Sequence, residues 1–379
     1  MRTSFADILS GLDSETERRT GRKLPAWTAA SAERKEAGLE PLEIPTALSL
    51  EQCSSEETAA FKRSLLAGLF PDGIGTLCDL TCGLGVDSLA FSGIARRVIS
   101  YERSSVLAGA AERNFNRLGI SNIEVRNEEV GPECGLPECD VIFADPARRD
   151  GAGRKVFRLE DCSPDIRPML PMLLGKAGTV LLKLSPMADI SLVAAELGEC
   201  LEEVHIVSLR SEVKELLCLL RRGHTGTYTV TARELGCPET FSFTPQQERE
   251  AEAVYAVEPQ PGQLLLEPRA ALMKSGAYKL ISCRLGVSKL APSTHLYLSD
   301  KAPGELFKTF RIVEIRPFGG QAAKALGKLY PDAEVSARNL PLGSEELRRR
   351  MGVCGGGRYH IFGCGTAVGK LLIVGEVLG

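Results

Sequence analysis

Short apolar runs alternate with amphipathic stretches through the middle of the chain. TLCDLTC, RRVISYE, IEVRN, DVIFADP, TVLLKLS, EEVHIVSL and ELLCLLRRG succeed one another between residues 76 and 223. Strand, helix, strand at this spacing predicts a parallel sheet with crossover helices. The last two runs follow each other closely, so the sheet should end in an antiparallel strand. Ahead of it, residues 1–60 read as a charged helical region with breaks at Pro25, Pro41 and Pro45. Ser49 to Leu66 reads as a helix with Ser54 or Ser55 as its N-cap and Phe61, Leu65 and Leu66 on one face. Past Gly223 the rhythm is lost. Residues 224–308 form a middle α+β region, with a turn at 258–262 and a helix over 270–285. From Thr309 to the end, strand and helix patterns alternate again in a compact β-α-β-like unit. The domain expectation is therefore 1–60, 61–223, 224–308 and 309–379.

Composition narrows the class. At 379 residues with 44% apolar and 25% charged side chains, the chain has the balance of a soluble globular protein of two or three domains. No apolar run approaches the roughly 20 residues of a membrane helix. The start, with early acids and no apolar core, does not read as a secretory signal. The 12 cysteines are scattered, without the paired CxxC spacing of a zinc site, and only 4 histidines could assist them. Reduced thiols in a cytoplasmic protein, with no metal, are expected. The net charge of −3 means that nucleic-acid contact would need a local basic face.

Candidate chemistry gathers where strands end. The first strand leads into Asp79-Leu-Thr-Cys-Gly-Leu-Gly-Val-Asp87, where Gly83 and Gly85 permit a tight turn and close approach of a ligand. The third glycine of a dinucleotide fingerprint is replaced by Ser88. Asp79 stands where enzymes that bind S-adenosylmethionine (SAM) often hold an acid near the amino-acid end of the cofactor. Thr81 and Asp87 flank the turn as further cofactor-binding candidates. The second strand ends at Glu102, which could accept from ribose hydroxyls. The third ends at Glu129, with Glu128 as the alternative, which could accept from the adenine amine. Each acid could equally be a solvated strand end; together they predict SAM binding. A branched side chain at Gly85 is expected to obstruct the cofactor.

The fourth strand ends in Asp145-Pro-Ala-Arg-Arg-Asp150. Ligand crevices of open α/β sheets lie at the carboxyl ends of strands, so Asp145 should sit near the methyl donor. Methyl transfer to an amine needs a positioned lone pair and a route for the proton. Asp145 and the Pro146 carbonyl could accept from the amine. Arg148 stands where amine methyltransferases often have an aromatic, and it could stack on a base or bind phosphate. Arg148 and Arg149 could also be a solvated loop or pair with Asp150. Lys183 and Ser185 could line the pocket, or Lys183 could be an edge charge. No cysteine nucleophile follows the fifth strand before Cys200, which argues against covalent base catalysis.

Four segments carry a family resemblance: LSLEQCSSEETAAFKRSLL at 48–66, DLTCGLGVDSLAF with YER, ADPARRD followed by KLSPMADI, and AEVSARNLPLGSEELRRR with RYHIFG. With LLEPRAALMKSGAYKL at 265–280 the match spans nearly the whole chain. The sequence resembles the bacterial class I SAM-dependent methyltransferases with a C-terminal THUMP-like domain. The resemblance implies an α/β fold: a Rossmann-like SAM-methyltransferase sheet, a helical N-terminal region and a C-terminal α+β THUMP-like, ferredoxin-like domain. It also implies an RNA substrate, tRNA or rRNA, because THUMP domains usually deliver RNA to modifying enzymes. The Asp-Leu-Thr-Cys-Gly-Leu-Gly motif is similar to that of guanine-N2 rRNA methyltransferases, which points to a purine amine. The Asp-Pro-Ala-Arg loop departs from the usual amine pattern. From Thr309 on there are ten Lys/Arg against six Asp/Glu. Arg338, Arg348, Arg349 and Arg350, with Arg358, could face phosphates, or the three consecutive arginines could simply complement a helix dipole. The competing expectations are a small-molecule methyltransferase and a non-catalytic SAM- or RNA-binding protein.

Overall fold

The computed structural model describes residues 32–148 and 158–378. The chain divides into two compact units, one formed by residues up to Val204 together with Lys214–Thr227, the other by His205–Val213 and Tyr228 onward. The expected N-terminal helical region lies outside the described residues up to position 31, so Pro25 is not placed.

In the first unit, helices α1 (Ala47–Gln52) and α2 (Glu56–Leu69) precede strand β1 (Ile74–Asp79). The single helix expected over 49–66 is thus two, separated at Cys53–Ser55. Ser55 wins the N-cap because its hydroxyl accepts from the Thr58 N–H, with Glu56 and Glu57 favouring the positive helix end. Helix α3 (Val86–Ser92), β2 (Ala95–Tyr101), α4 (Ser105–Arg117), β3 (Ile123–Arg126) and β4 (Cys139–Ala144) follow. A two-residue strand pair comes next, β5 (Ala147–Arg148) against β6 (Cys162–Ser163). Helix α5 (Leu170–Lys176), β7 (Ala177–Leu184) and α6 (Ile190–Leu197) follow, and β8 (Leu201–Leu209) and β9 (Glu212–Arg221) complete the series, their residues 205–213 counting with the second unit.

β3, β2, β1, β4 and β7 run parallel in that order, and β9 closes on β7 antiparallel. Helices cover both faces of such a sheet, so its central strands are apolar throughout rather than alternating. Leu77, Val98, Val141, Ile142, Val180, Leu181, Leu182 and Leu216 to Leu220 are accordingly all buried. The parallel strands all point their carboxyl ends to one side, which is where the candidate residues fall.

The second unit adds β10 (Thr229–Glu234), paired with β11 (Thr240–Phe243), then α7 (Pro245–Glu250) and β12 (Leu264–Pro268). The helix expected over 270–285 is broken into α8 (Ala270–Ser275) and α9 (Tyr278–Leu285), because Gly276 takes a left-handed conformation that ends the first. β13 (Ser288–Ala291), β14 (Thr294–Ser299) and β15 (Phe307–Pro317) follow, then α10 (Gly320–Leu329), β16 (Glu334–Arg338), α11 (Ser344–Met351), β17 (Tyr359–Thr366) and β18 (Gly369–Val377). These strands form one sheet in the order β13-β14-β12-β15-β18-β17-β16. β15 pairs with β12 on one side and β18 on the other. The segments before and after 308 therefore share a sheet. Among the described residues no helix is long and apolar enough to cross a membrane.

Candidate cofactor and methyl-transfer site

The turn after β1 is shaped from within. Asp79 is buried; its carboxylate accepts from the Ser88 hydroxyl and from the Thr81 N–H at 3.0 Å. Burial, eased by these hydrogen bonds, pushes its carboxyl up to about 7. Asp79 therefore organises the loop rather than pointing out of it. Thr81 ties the loop to the neighbouring strand end, its hydroxyl accepting from the Asp145 N–H at 2.7 Å.

The two glycines differ. Gly85 is the N-cap of α3 with φ +81°, and a Cβ there would overlap the Phe115 ring. The space a side chain would take at Gly85 is filled by Phe115. Gly83, φ +54°, has nothing within 4 Å of the place a Cβ would occupy. It is the glycine whose open side is available to a ligand.

Glu102, 9% exposed, sits beside that turn. One carboxylate oxygen accepts from Gly83 N–H at 2.9 Å and the other from Ser104 N–H at 2.8 Å. Each oxygen retains a lone pair. Glu129 is exposed and lies 3.7 Å from Arg103, which also donates to Ser163 Oγ at 3.2 Å. Asn127, unremarked in the sequence, bridges the second and third strand ends by donating to the Glu102 carbonyl at 2.8 Å.

At the end of β4, Asp145 is half-buried and Pro146 buried. Lys183 Nζ, from β7, donates to Asp145 Oδ2 at 2.5 Å. Lys183 is thus no edge charge. Burial alone would depress its ammonium, but Asp145, Asp87 and Glu215 outweigh that and hold it well above the ordinary lysine value. Of the Arg148 side chain, Arg149 and Asp150 nothing falls among the described residues.

Asp87, expected at the cofactor, is turned towards Lys62, 3.1 Å from its Nζ, and accepts from Ser54 Oγ at 2.7 Å. Lys62 and Glu215 were not legible as site residues. Both are buried, and Lys62 Nζ donates to the two Glu215 oxygens at 3.0 and 2.9 Å. Burial raises the Glu215 carboxyl, against the pull of Lys62 and Lys183.

The remaining candidates belong to the second unit. Arg338 is held by Glu267 at 2.7 Å, and Arg358 by Glu376. Arg348, Arg349 and Arg350 are exposed in the last turn of α11. Arg350 pairs with Glu346 one turn back; Arg348 and Arg349 have no carboxylate partner among the described residues.

A ferredoxin-like domain family matches residues 265–305, and a THUMP domain-like family matches 307–376. No curated protein matches the chain. Among solved structures, that of a "putative methyltransferase" from Porphyromonas gingivalis W83 is 31% identical, covers 100% of both chains and superposes with a TM-score of 0.80. Precorrin 8w decarboxylase from Methanobacterium thermoautotrophicum is 18% identical over 45% of this chain and 91% of its own, with a TM-score of 0.30. An rRNA methylase from Streptococcus thermophilus is 13% identical over 43% of this chain and 94% of its own, with a TM-score of 0.32. These last two are too distant to bear on function. On the full-length match and the two domain matches, the chain belongs to the family of class I methyltransferases with a C-terminal THUMP-like domain, whose cofactor is S-adenosylmethionine.

Proposed function

We propose that the chain methylates a purine amine in tRNA or rRNA, with the cofactor over the Gly83 turn and Asp145 orienting the acceptor. The observation that carries the RNA reading is the THUMP-like domain over 307–376 in one chain with a SAM-dependent fold. Exposed Arg348 and Arg349 support it as phosphate contacts. A cytoplasmic setting goes with such an acceptor.

The site's residues suit the cofactor. Gly83 is open on its ligand side, Glu102 presents a fixed carboxylate for ribose hydroxyls, and Glu129 remains the candidate for the adenine amine. The bound cofactor supplies an electrophilic methyl group on a sulfonium. The chain's own residues have to bring the acceptor nitrogen in line and give its proton a way out. Lys183 occupies Asp145 Oδ2, which leaves Oδ1 to accept from the amine. The Pro146 carbonyl is a second acceptor on a stiff turn. Arg148 is proposed to stack on the base or bind phosphate.

Asp145→Ala should keep SAM affinity and lower single-turnover methylation of RNA by about a hundredfold or more. A wild-type rate at saturating SAM and RNA would make Asp145 a structural strand end. Arg148→Ala should instead raise the RNA concentration needed for half-maximal rate.

A further inference from the structure

The Ser54 hydroxyl lies in the short link between α1 and α2, ahead of the first strand of the sheet. It donates to Asp87 Oδ2 at 2.7 Å and accepts from Lys62 Nζ at 3.1 Å and from Lys183 Nζ at 3.2 Å. One donor and two lone pairs are all a hydroxyl has, so Ser54 is saturated. Through it run two ammonium groups and three carboxylates, from Glu215 and Lys62 in the interior to Asp145 at the strand end. Charges taken out of water are costly, and an array of this kind persists only when nearly every partner is supplied. Two members bear on the cofactor crevice. Asp87 lies in the first turn of α3, directly after the glycine turn, and Lys183 fixes Asp145.

We infer that Ser54 is a positioning residue of the SAM site, holding Asp87 and Lys183 in place before the cofactor arrives. Without its hydroxyl, Lys62, Lys183 and Asp87 each lose a partner. Their side chains must then be ordered at the moment of binding, which weakens affinity. The inference rests on the cofactor lying over the Gly83 turn and not on the identity of the acceptor.

Calorimetric titration of the full chain with SAM tests it, with thermal melts alongside. Ser54→Ala should raise the dissociation constant about tenfold. Ser54→Thr, which keeps the hydroxyl, should stay within about threefold of wild type. Gly83→Ala should also weaken binding. If Gly83→Ala binds weakly and Ser54→Ala binds as wild type, the role of Ser54 is overturned. If Gly83→Ala itself binds as wild type, the cofactor placement is wrong and the inference falls with it. Should Ser54→Ala not fold, Ser54→Cys, which keeps the size of the side chain but hydrogen-bonds only weakly, is expected to show the same loss, and wild-type affinity in that variant overturns the inference.

Discussion

Gly83 and Gly85 stand two positions apart in one turn, and substitution should separate them. At Gly85 a methyl group meets the Phe115 ring on a left-handed backbone. Overpacking and the left-handed conformation together should cost about 3 kcal/mol of stability in Gly85→Ala. At Gly83 the added methyl meets open space, so Gly83→Ala should lose only about 1 kcal/mol while SAM binding weakens. Thermal melts with and without SAM distinguish them: stabilisation by the cofactor should shrink in Gly83→Ala, whereas the Gly85→Ala protein should already melt early without it. Equal melting of the two apo variants would show that Phe115 yields freely.

Asp79 makes a second residue-scale prediction. Its folded carboxyl titrates at about 7, above the unfolded value near 4. An acid raised on folding favours the fold while protonated. That contribution is full below about pH 4 and is lost as pH rises through about 7. Asp79→Asn cannot ionise, so the melting temperature of the variant minus that of wild type should grow between about pH 4 and 7 and level off above. A gap that stays constant would show that Asp79 does not titrate there. Burial of this kind has no signature in the sequence. Asp79 reads as a ligand-facing acid because it follows a strand, yet its carboxylate faces Ser88 and the loop. Lys62 and Glu215 are more hidden still, 153 positions apart. Only the folded sheet brings them together.

Elements were far more legible than their side chains. Each apolar run between 76 and 223 is a strand, since continuous apolar runs are what a sheet covered on both faces requires. The misjudged places are helix interruptions, at Cys53–Ser55 and at Gly276, where periodicity on either side continues and a single left-handed residue or an extended link breaks the axis. Helix α11 carries its own prediction. Its last turn is Arg348, Arg349 and Arg350, and its first turn holds Glu345 and Glu346, the arrangement that complements a helix dipole. That alone explains a few tenths of a kcal/mol. If the arginines also meet phosphates, changing all three to Gln should weaken RNA binding at low salt and flatten the dependence of log affinity on log salt. Arg350, already paired with Glu346, should contribute least. An unchanged slope would leave the arginines with the dipole only.

At the scale of the whole molecule, methyl-transfer residues and the basic helix end belong to different units of one chain, and this makes their failures separable. Deleting the gene should remove one methylated purine from the nucleosides of purified tRNA or rRNA, read by mass spectrometry. Wild-type protein should restore it. Asp145→Ala, with turnover lowered about a hundredfold, should restore far less than wild type at matched expression. The triple Arg348/Arg349/Arg350→Gln variant should restore it in part, and more fully when overproduced, because weakened binding of substrate is overcome by concentration. A small-molecule methyltransferase would leave the nucleoside profile of the deletion strain unchanged. A non-catalytic RNA-binding protein would change it, if at all, equally with wild type and Asp145→Ala. Restoration by wild type, by Asp145→Ala and by the triple variant at matched expression therefore tests the acceptor, the catalytic carboxylate and the RNA-contacting helix in a single set of strains.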